Sequence, residues 1–158
     1  MEAFRQFYID HGERLFGYLL RKSGSSHLAA DMVQETFARY WERYRQMELS
    51  VPLLFTMARN IFYDHIRQQR HTTTLDDRQE GAGPDQEQAY IVREEARQVL
   101  HALQQLDEDE RDILALVVSS GLTYSAIAAM RGCSEANIKV KVHRARQRLR
   151  QFMPREQP

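Results

Sequence analysis

The sequence predicts an all-α protein with two small helical domains joined by a flexible linker, the second domain containing a helix-turn-helix. Three observations lead to this prediction. Apolar residues recur with the period of an α-helix along most of the chain, and no segment alternates as a strand does. This periodicity lapses at residues 72–88, where Thr, Gly, Pro and acidic residues collect. A short helix, a glycine turn and a longer basic helix then follow near the end of the chain. We therefore expect domains at 1–71 and 89–153.

The first domain contains three amphipathic segments. One runs from Glu2 to Lys22 and ends at a Ser-Gly-Ser-Ser sequence. The next, from His27 to Arg45, carries three large aromatic residues on one face, so that face should be buried. The third opens at Pro52, a residue favoured in the first turn of a helix, and extends to Arg70.

The polar faces of the second and third segments admit two interpretations each. Asp31 and Glu35 lie on a face that either is merely solvated or docks onto a partner. On the third segment, Tyr63 stands among arginines, a mixture that stacks a base while neutralising a nucleic-acid backbone. An ordinary half-buried tyrosine explains the same pattern, so the two interpretations of Tyr63 are equally weighted at this point.

The second domain is predicted to have four helices. The first spans Ala89 to Leu106 and has an apolar stripe that includes Val99 and Leu103. Asp107 is placed to cap the next helix, which is strongly apolar and ends at Ser119-Ser120-Gly121. The helix-turn-helix supplies the last two helices.

The helix-turn-helix is the most informative motif in the chain. A short helix from Thr123 to Met130 leads to a turn at Gly132, and Ser134 is a good N-cap for a long second helix. The apolar stripe of this helix is Ile138, Val142, Ala145 and Leu149, and basic residues flank it on both sides. Between Arg131 and Arg150 the only acid is Glu135, whereas a solvated helix mixes its charges. Small apolar residues at the outer pole suit base edges, so we expect this helix to read a major groove.

Composition excludes several classes of protein. The single Cys133 rules out an internal disulfide framework and a multi-cysteine zinc site, and the six histidines show no metal-ligand spacing. No nucleophile motif or phosphate-binding glycine loop occurs, so we expect no enzyme, no cofactor, no metal and no small-molecule substrate. His143, on the second helix of the motif, is interpreted as a phosphate or water contact rather than as a catalyst.

Two further properties bear on location and on DNA affinity. No signal peptide or membrane-spanning stretch is present, and a cytoplasmic location is expected. The net charge of zero suits assisted rather than unaided DNA binding.

Three motifs in order make the chain resemble bacterial sigma-70 factors of the extracytoplasmic function group. Residues 30–37 with Trp41 resemble the polymerase-binding part of region 2. Residues 55–60, leading to Asp64, Arg67 and Arg70, resemble the part that opens and reads the promoter −10 element. The sequences at 106–111, 121–128 and 142–149 resemble region 4, which binds the −35 element.

The resemblance implies three groups of functional residues. Those on core RNA polymerase would be Asp31, Gln34, Glu35, Phe37 and Trp41. Those on −10 DNA would be Arg59, Asn60, Tyr63, Arg67 and Arg70. Those on −35 DNA, carried by a helix-turn-helix that would span Thr123 to His143, are Thr123, Ser134, Glu135, Ala136, Asn137, Lys139, Val140, Lys141, Arg144, Arg146 and Arg148. The implied partners are core polymerase, promoter DNA and an anti-sigma factor, which is often membrane-anchored in this family.

The sequence departs from the family pattern around the helix-turn-helix, at residues 130–134, Val140 and Lys141. These positions bear on which promoter is chosen rather than on whether DNA is bound. A different class of protein also fits the helix-turn-helix: a stand-alone transcriptional regulator with an N-terminal sensing or dimerising bundle. The stretch from Asp31 to Trp41 favours the sigma factor, because a simple regulator has no reason to carry it.

Overall fold

The computed structural model describes residues 1–71 and 87–154, with side chains at 1–70 and 93–154. In these two ranges all regular structure is helical, which confirms the all-α prediction. The helices are α1 (Glu2–Ser23), α2 (Ser26–Tyr44), α3 (Val51–His71), α4 (Glu87–Gln105), α5 (Glu108–Ser119), α6 (Tyr124–Arg131) and α7 (Glu135–Phe152). The predicted linker at 72–88 lies outside the described residues, except that its last two residues open α4. None of the described helices has the length and apolarity needed to span a membrane.

Short polar side chains and glycines set the helix ends, as the sequence predicts. Each of five helices begins with a side-chain oxygen that accepts a hydrogen bond from the backbone N–H three residues on. The five residues are Ser25, Ser50, Asp107, Thr123 and Ser134. Two helices end at a glycine in the left-handed region, Gly24 with φ 71° and Gly132 with φ 66°. Of these residues, Gly132 and Ser134 fix where α7 starts.

The first helical region, α1–α3, is built around aromatic rings. Phe7 and Tyr40 have ring centroids 5.4 Å apart, and Phe37 packs edge-on to Phe7 at 6.3 Å. The Tyr40 hydroxyl accepts a hydrogen bond from the backbone N–H of Ser50 at 2.9 Å, which ties the start of α3 to α2. The heavily buried face predicted for the second segment is thus confirmed at Phe37 and Tyr40.

The second helical region, α4–α7, buries the apolar stripes of its helices. Ile113, Leu116 and Ile127 are fully buried, and Leu103 of α4 lies against the same core. Val99, which belongs to the predicted stripe of α4, is exposed instead. Periodicity therefore predicted a wider buried face than α4 has.

The two helical regions pack directly on one another. α1 lies against α2 on one side and against α5 on another, and α3 also contacts α6. Buried residues of both regions belong to one continuous apolar core, in which Leu15 and Leu19 of α1 join Ile113 and Leu116 of α5. The sequence does not predict this contact, and it decides which functional side chains are accessible.

Candidate nucleic-acid and protein interfaces

The outward face of α7 is a candidate surface for duplex DNA. Ile138, Val142 and Ala145 are buried against the rest of the second region, which confirms the predicted stripe. With the stripe fixed, the opposite side of the helix points to solvent. Of the predicted −35 residues only Lys141 is half-buried. The other ten are exposed: Thr123, Ser134, Glu135, Ala136, Asn137, Lys139, Val140, Arg144, Arg146 and Arg148. Val140, at the outer pole, has 47% of its surface exposed.

The helix-turn-helix predicted at Thr123 to His143 lies on α6 and α7, and its second helix extends beyond His143. Its start agrees, because Thr123 is the N-cap of α6. Its second helix, α7, continues without a break through His143 to Phe152, since the apolar stripe goes on at Ala145 and Leu149, both of which pack on the core. His143 therefore lies in the middle of α7, with its side chain exposed. A phosphate or a water molecule can reach it, and its contact with DNA stays a prediction.

Acidic residues at the start of α5 approach the basic flanks of α7. The Lys141 Nζ atom lies 3.4 Å from Asp109 Oδ2, and Arg148 Nη1 lies 3.5 Å from Glu110 Oε1. Among the described residues Arg144 and Arg146 have no acidic partner within ion-pair distance. They therefore carry uncompensated positive charge on the outer surface, as a phosphate contact requires.

A second candidate surface, which we call the −10 face, lies on α3 and comprises Arg59, Asn60, Tyr63, Arg67 and Arg70. Its members fall into two sets. Asn60, Arg67 and Arg70 are exposed, and Arg67 makes only a solvent-facing ion pair with Asp64 at 3.1 Å. Arg59 and Tyr63 are half-buried, because α5 and α6 of the second region lie over them.

The contact over Arg59 and Tyr63 is a group of charged and hydroxyl side chains centred on Asp112. This Asp112 cluster comprises Tyr18, Lys22, Arg59, Tyr63, Glu108, Asp112 and Arg131. Asp112 has no exposed surface, and its carboxylate accepts hydrogen bonds from the Tyr18 hydroxyl at 2.5 Å, from Lys22 Nζ at 2.9 Å and from Arg131. Arg59 Nε lies 3.3 Å from the same carboxylate. One carboxylate of the second region thus meets three side chains of the first.

Lys22 is the counterpart of Asp112 in the first region. It also has no exposed surface, and its ammonium group donates to Glu108 at 2.5 Å and to the Tyr63 hydroxyl at 3.2 Å. The same ammonium lies 4.6 Å from the centre of the Tyr63 ring and 4.7 Å from that of Phe62. A buried lysine is tolerated when its charge is paired and its donors are used, and both conditions hold here.

The cluster shifts the proton affinities of its members in the directions expected from its geometry. Burial, and then the nearby Asp112 carboxylate, raise the pKa of Tyr18 well above its usual range, so its hydroxyl stays a donor. Burial lowers the pKa of Arg59, but the Asp112 carboxylate, together with Tyr63 and Tyr18, outweighs burial, so the pKa of Arg59 is raised. The geometry of the cluster therefore keeps Tyr18 a neutral donor and Arg59 a cation.

A third candidate surface lies on α2. Asp31 and Gln34 are exposed, and Asp31 lies 3.5 Å from His27 on the preceding turn. Glu35 is half-buried and accepts from Arg39 at 2.6 Å and lies 3.0 Å from His65 of α3. Phe37, with 4% of its surface exposed, lies beneath this face, and Trp41 is half-buried against Phe4. Asp31 and Gln34 are thus the accessible members of the predicted polymerase-binding set.

Sequence reasoning missed the Asp112 cluster, although a signal was present. Lys22 is one helical turn beyond Tyr18, so it falls on the buried stripe of α1, and Asp112 directly precedes the apolar run of α5. A charge on each of two apolar faces indicates an internal ion pair. Within the described part of the chain, no group of acidic residues, histidines and cysteine is arranged to hold a metal ion.

Comparison with known proteins places these surfaces in a family context. Residues 7–72 match the family description "Sigma-70 region 2", and residues 96–149 match "Sigma-70, region 4". The ECF RNA polymerase sigma factor SigM of Bacillus subtilis is 33% identical, over 92% of this chain and 91% of SigM. The RNA polymerase sigma factor CarQ of Myxococcus xanthus is 31% identical, over 96% of this chain and 90% of CarQ.

Solved structures with the same fold include complexes with a second protein. One is the sigma factor RpoE of Bartonella quintana in complex with the anti-sigma factor NepR. It aligns with a TM-score of 0.72 and 26% identity, over 96% of this chain and 97% of RpoE. CnrH, solved in complex with the cytosolic domain of CnrY, has the same TM-score at 23% identity and supports the fold.

Proposed function

The chain belongs to the extracytoplasmic function group of RNA polymerase sigma factors, and from this premise we propose how its three surfaces share the work of promoter recognition. α2 binds core RNA polymerase, the −10 face grips the separated promoter strand, and α7 reads the −35 duplex. The observation that carries the proposal is the outward face of α7, basic at its flanks and apolar at its pole. The protein then acts by binding rather than by catalysis, in the cytoplasm where polymerase works.

The −35 contact follows from the orientation of α7. Glu135, Asn137, Lys139 and Val140 lie on the first two turns beyond the Ser134 cap, and all four are exposed. The first turns of a recognition helix are the part that reaches base edges in a major groove. Val140 offers an apolar contact for a thymine methyl group, while Arg144, Arg146 and Arg148, further along, suit phosphates.

The −10 contact requires both sets of the −10 face. Arg67 and Arg70 would neutralise the backbone of the non-template strand, and Tyr63 would stack on an unpaired base. Unstacking a base costs a few kcal/mol, which a base pocket and one stacking side chain can offset without ATP. Arg59 and Asn60 lie one helical turn before Tyr63 and Asp64, and they would contact the same strand.

Two partners besides DNA follow from family membership. Core polymerase would dock on the acidic face of α2, through Asp31 and Gln34. An anti-sigma factor is a further proposed partner, supported by the similar fold of the Bartonella sigma factor that is bound to NepR. The first region matches sigma-70 region 2, which disfavours a stand-alone helix-turn-helix regulator whose N-terminal bundle senses a signal or dimerises.

A crossed experiment tests the assignment of α7 and α2. The promoter is recovered by chromatin immunoprecipitation, and each variant is assayed for core pull-down and for footprinting with core enzyme. Val140→Asp places a carboxylate at the DNA surface, so we expect the −35 footprint to weaken by about tenfold or more, with core pull-down unchanged. Asp31→Arg reverses a charge on α2, so we expect core pull-down to weaken, and the footprint, which is measured with core enzyme, to weaken with it.

Matched controls distinguish these effects from general damage. Val118 is an exposed valine on α5, with 58% of its surface accessible, and Val118→Asp should leave the footprint intact. Glu95 is an exposed acid on α4, and Glu95→Arg should leave core pull-down intact. A Val140→Asp protein that protects the −35 element as well as the parent, or an Asp31→Arg protein that binds core normally, would remove that surface from the proposal.

A further inference from the structure

The acidic start of α5 lies beside one flank of α7. We call Lys141 and Arg148 of α7 the paired flank, because each lies near a carboxylate of α5. The two carboxylates belong to Asp109 and Glu110. We infer that these two acids determine DNA specificity without contacting bases: they oppose non-specific binding along the paired flank more than they oppose reading of the −35 element. This inference rests on the proposed −35 contact of α7.

The paired flank lies away from the part of α7 that would face base edges. Ala136 and Val140, opposite the buried stripe, are both exposed and form what we call the base-reading pole. At 3.6 residues per turn, the paired flank lies roughly a third of a turn around the helix from this pole. Arg144 lies between them and has no acidic partner within ion-pair distance in the described part of the chain. An orientation that places the pole in a major groove therefore uses Arg144 before it uses the paired flank.

Asp109 is held beside Lys141 by a third side chain. Its carboxylate forms an ion pair with Arg131, whose side chain is only 9% exposed, and its Oδ2 atom lies 3.4 Å from Lys141 Nζ. A carboxylate anchored in this way stays in place when a phosphate approaches Lys141. Phosphate and carboxylate would then share one cation at a separation well inside the screening length of about 8 Å at physiological ionic strength. Their repulsion makes Lys141 a poor phosphate contact.

Glu110 restrains Arg148 through an unsatisfied oxygen. Its Oε1 atom is buried, has no hydrogen-bond partner among the described residues and lies 3.5 Å from Arg148 Nη1. Burial, and then Asp107, raise the pKa of Glu110, whereas Arg148 opposes them. Moving Arg148 onto a phosphate would leave a buried carboxylate without its cation, which is costly. Arg148 is therefore a weaker phosphate contact than Arg144 and Arg146, although half of its side chain is exposed.

These restraints act mainly on binding that depends on phosphates alone. Non-specific affinity comes from cations that neutralise phosphates, whereas binding of the −35 element adds contacts to base edges. A duplex of any sequence can recruit the paired flank only by bringing its phosphates close to two acids. A duplex with the −35 element is held through the base-reading pole instead, with Arg144 and Arg146 on phosphates. The acids should therefore lower the affinity for other sequences more than the affinity for the promoter.

Neutralising the two acids gives the first test. The acid-neutral variant combines Asp109→Asn with Glu110→Gln, which keep the sizes of the side chains, and glutamine still suits the third position of a capping box. The full chain is titrated, over a range of salt concentrations, with the −35 duplex of the recovered promoter and with a scrambled duplex. We expect affinity for the scrambled duplex to rise about tenfold and affinity for the −35 duplex less than about threefold. The salt slope for the scrambled duplex should steepen by about 1 to 2, because each neutralised phosphate adds about 0.9.

A matched control separates this effect from a change in net charge. Asp10→Asn with Glu13→Gln makes the same change in charge at two exposed acids of α1, and it should alter both affinities by less than about twofold. Unchanged affinity of the acid-neutral variant for the scrambled duplex would overturn the inference, and so would an equal rise for both duplexes. A parent protein without preference for the −35 duplex would instead count against the proposed function.

Retention on heparin, a polyanion without bases, tests the restraint by itself. The salt concentration at elution is compared for two pairs of neutralised cations, Arg144→Gln with Arg146→Gln and Lys141→Gln with Arg148→Gln. The first pair should elute clearly earlier than the parent, and the second should shift by less than about half as much, because its charges are already balanced. In the acid-neutral background the two shifts should become equal. Equal shifts in the parent background would refute the restraint, and this comparison decides the matter if the acid-neutral variant does not fold.

Discussion

The way the helices of this molecule pack together depends strongly on a few charged side chains. The Asp112 carboxylate contacts side chains of α1, α3 and α6. One of these is the fully buried Lys22, with which it forms an ion pair. Removing one partner of such a group leaves the other charged and desolvated, which costs far more than the pair contributes. The sequence shows that Lys22 lies on the apolar stripe of α1, but it does not show which carboxylate Lys22 meets, because that partner is 90 residues away.

The residue-scale predictions for α7 are more secure, because they depend on local periodicity alone. Ile138, Val142 and Ala145 are buried as expected, and every residue expected at the outer pole is exposed. On α3 the same reasoning is incomplete. Tyr63 and Arg59 lie on the predicted polar side, yet they are half-buried, because a second helical region covers them.

His11 gives a prediction for the pH dependence of stability. Burial, and then Arg14, lower the pKa of His11, while Asp10 opposes them; the ring packs on Phe7 with centroids 5.0 Å apart. As the pH falls below about 6.5, the unfolded chain takes up a proton before the folded chain does. The contribution of His11 to the free energy of unfolding is therefore complete above that pH and is lost as the pH falls towards the folded pKa.

The test compares urea unfolding at pH 7 and pH 5. His11→Phe keeps a ring against Phe7 and removes the titrating group, so we expect the variant to lose less stability on acidification than the wild type. His101→Phe changes an exposed histidine on α4 and should follow the wild type. If the His11→Phe and wild-type proteins lose the same free energy of unfolding between the two pH values, the assignment to His11 is wrong.

At the scale of helices, the chain was largely predictable. Capping residues, glycines and apolar periodicity placed all the described helices within a few residues of where the structure has them. The apolar stripe predicted as far as Leu149 agrees with the length of α7, which extends beyond the predicted motif end at His143. The exposed Val99 marks another limit. Periodicity shows that α4 has an apolar stripe, but how much of the stripe is covered depends on how its neighbours pack, which no local pattern contains.

The turn of the helix-turn-helix permits a test with an internal contrast. Gly12 and Gly132 both have open space where a side chain would lie, but Gly132 has φ 66° whereas Gly12 lies inside α1. Gly132→Ala should therefore destabilise the protein by about 1 kcal/mol, because alanine is strained in the left-handed region. Gly12→Ala should stabilise it by about 0.5–1 kcal/mol, because alanine is the better helix former.

Urea unfolding of the two variants measures both changes on one scale. Asparagine tolerates the left-handed conformation better than alanine, so Gly132→Asn should recover part of the loss. If Gly132→Ala and Gly12→Ala shifted stability in the same direction, backbone conformation could not be the reason for glycine in the turn.

For the molecule as a whole, the shared core predicts cooperative unfolding. α1 belongs to the core of both helical regions, so neither region can unfold without exposing apolar surface of the other. We expect the wild type to unfold in one calorimetric transition with matching calorimetric and van't Hoff enthalpies. Gly17→Leu should split it in two, because the larger side chain meets Ser119 and wedges α1 from α5. Gly12→Leu, the same change facing open space, should keep one transition.

This long-range packing is the part of the fold that the sequence analysis did not provide. Amphipathic helices show that a face is buried, but a face of α1 that fits α5 looks no different from one that fits α2. The contact between the two regions combines a shared apolar core with the Asp112 cluster, so both features hold the regions together.

Asp109 connects the Asp112 cluster to the DNA-reading helix α7. It pairs with Arg131, a member of the Asp112 cluster, and also with Lys141 on the DNA-reading helix. If duplex DNA draws Lys141 away from Asp109, the ion pair between Asp109 and Arg131 changes in strength. Binding of the two promoter elements is then thermodynamically coupled through one carboxylate. Such coupling is reciprocal: whatever duplex binding at α7 contributes to strand binding at the −10 face, strand binding contributes equally to duplex binding. The spacing between the two promoter elements would then affect how strongly binding of one element favours binding of the other, as well as whether both can be reached at once.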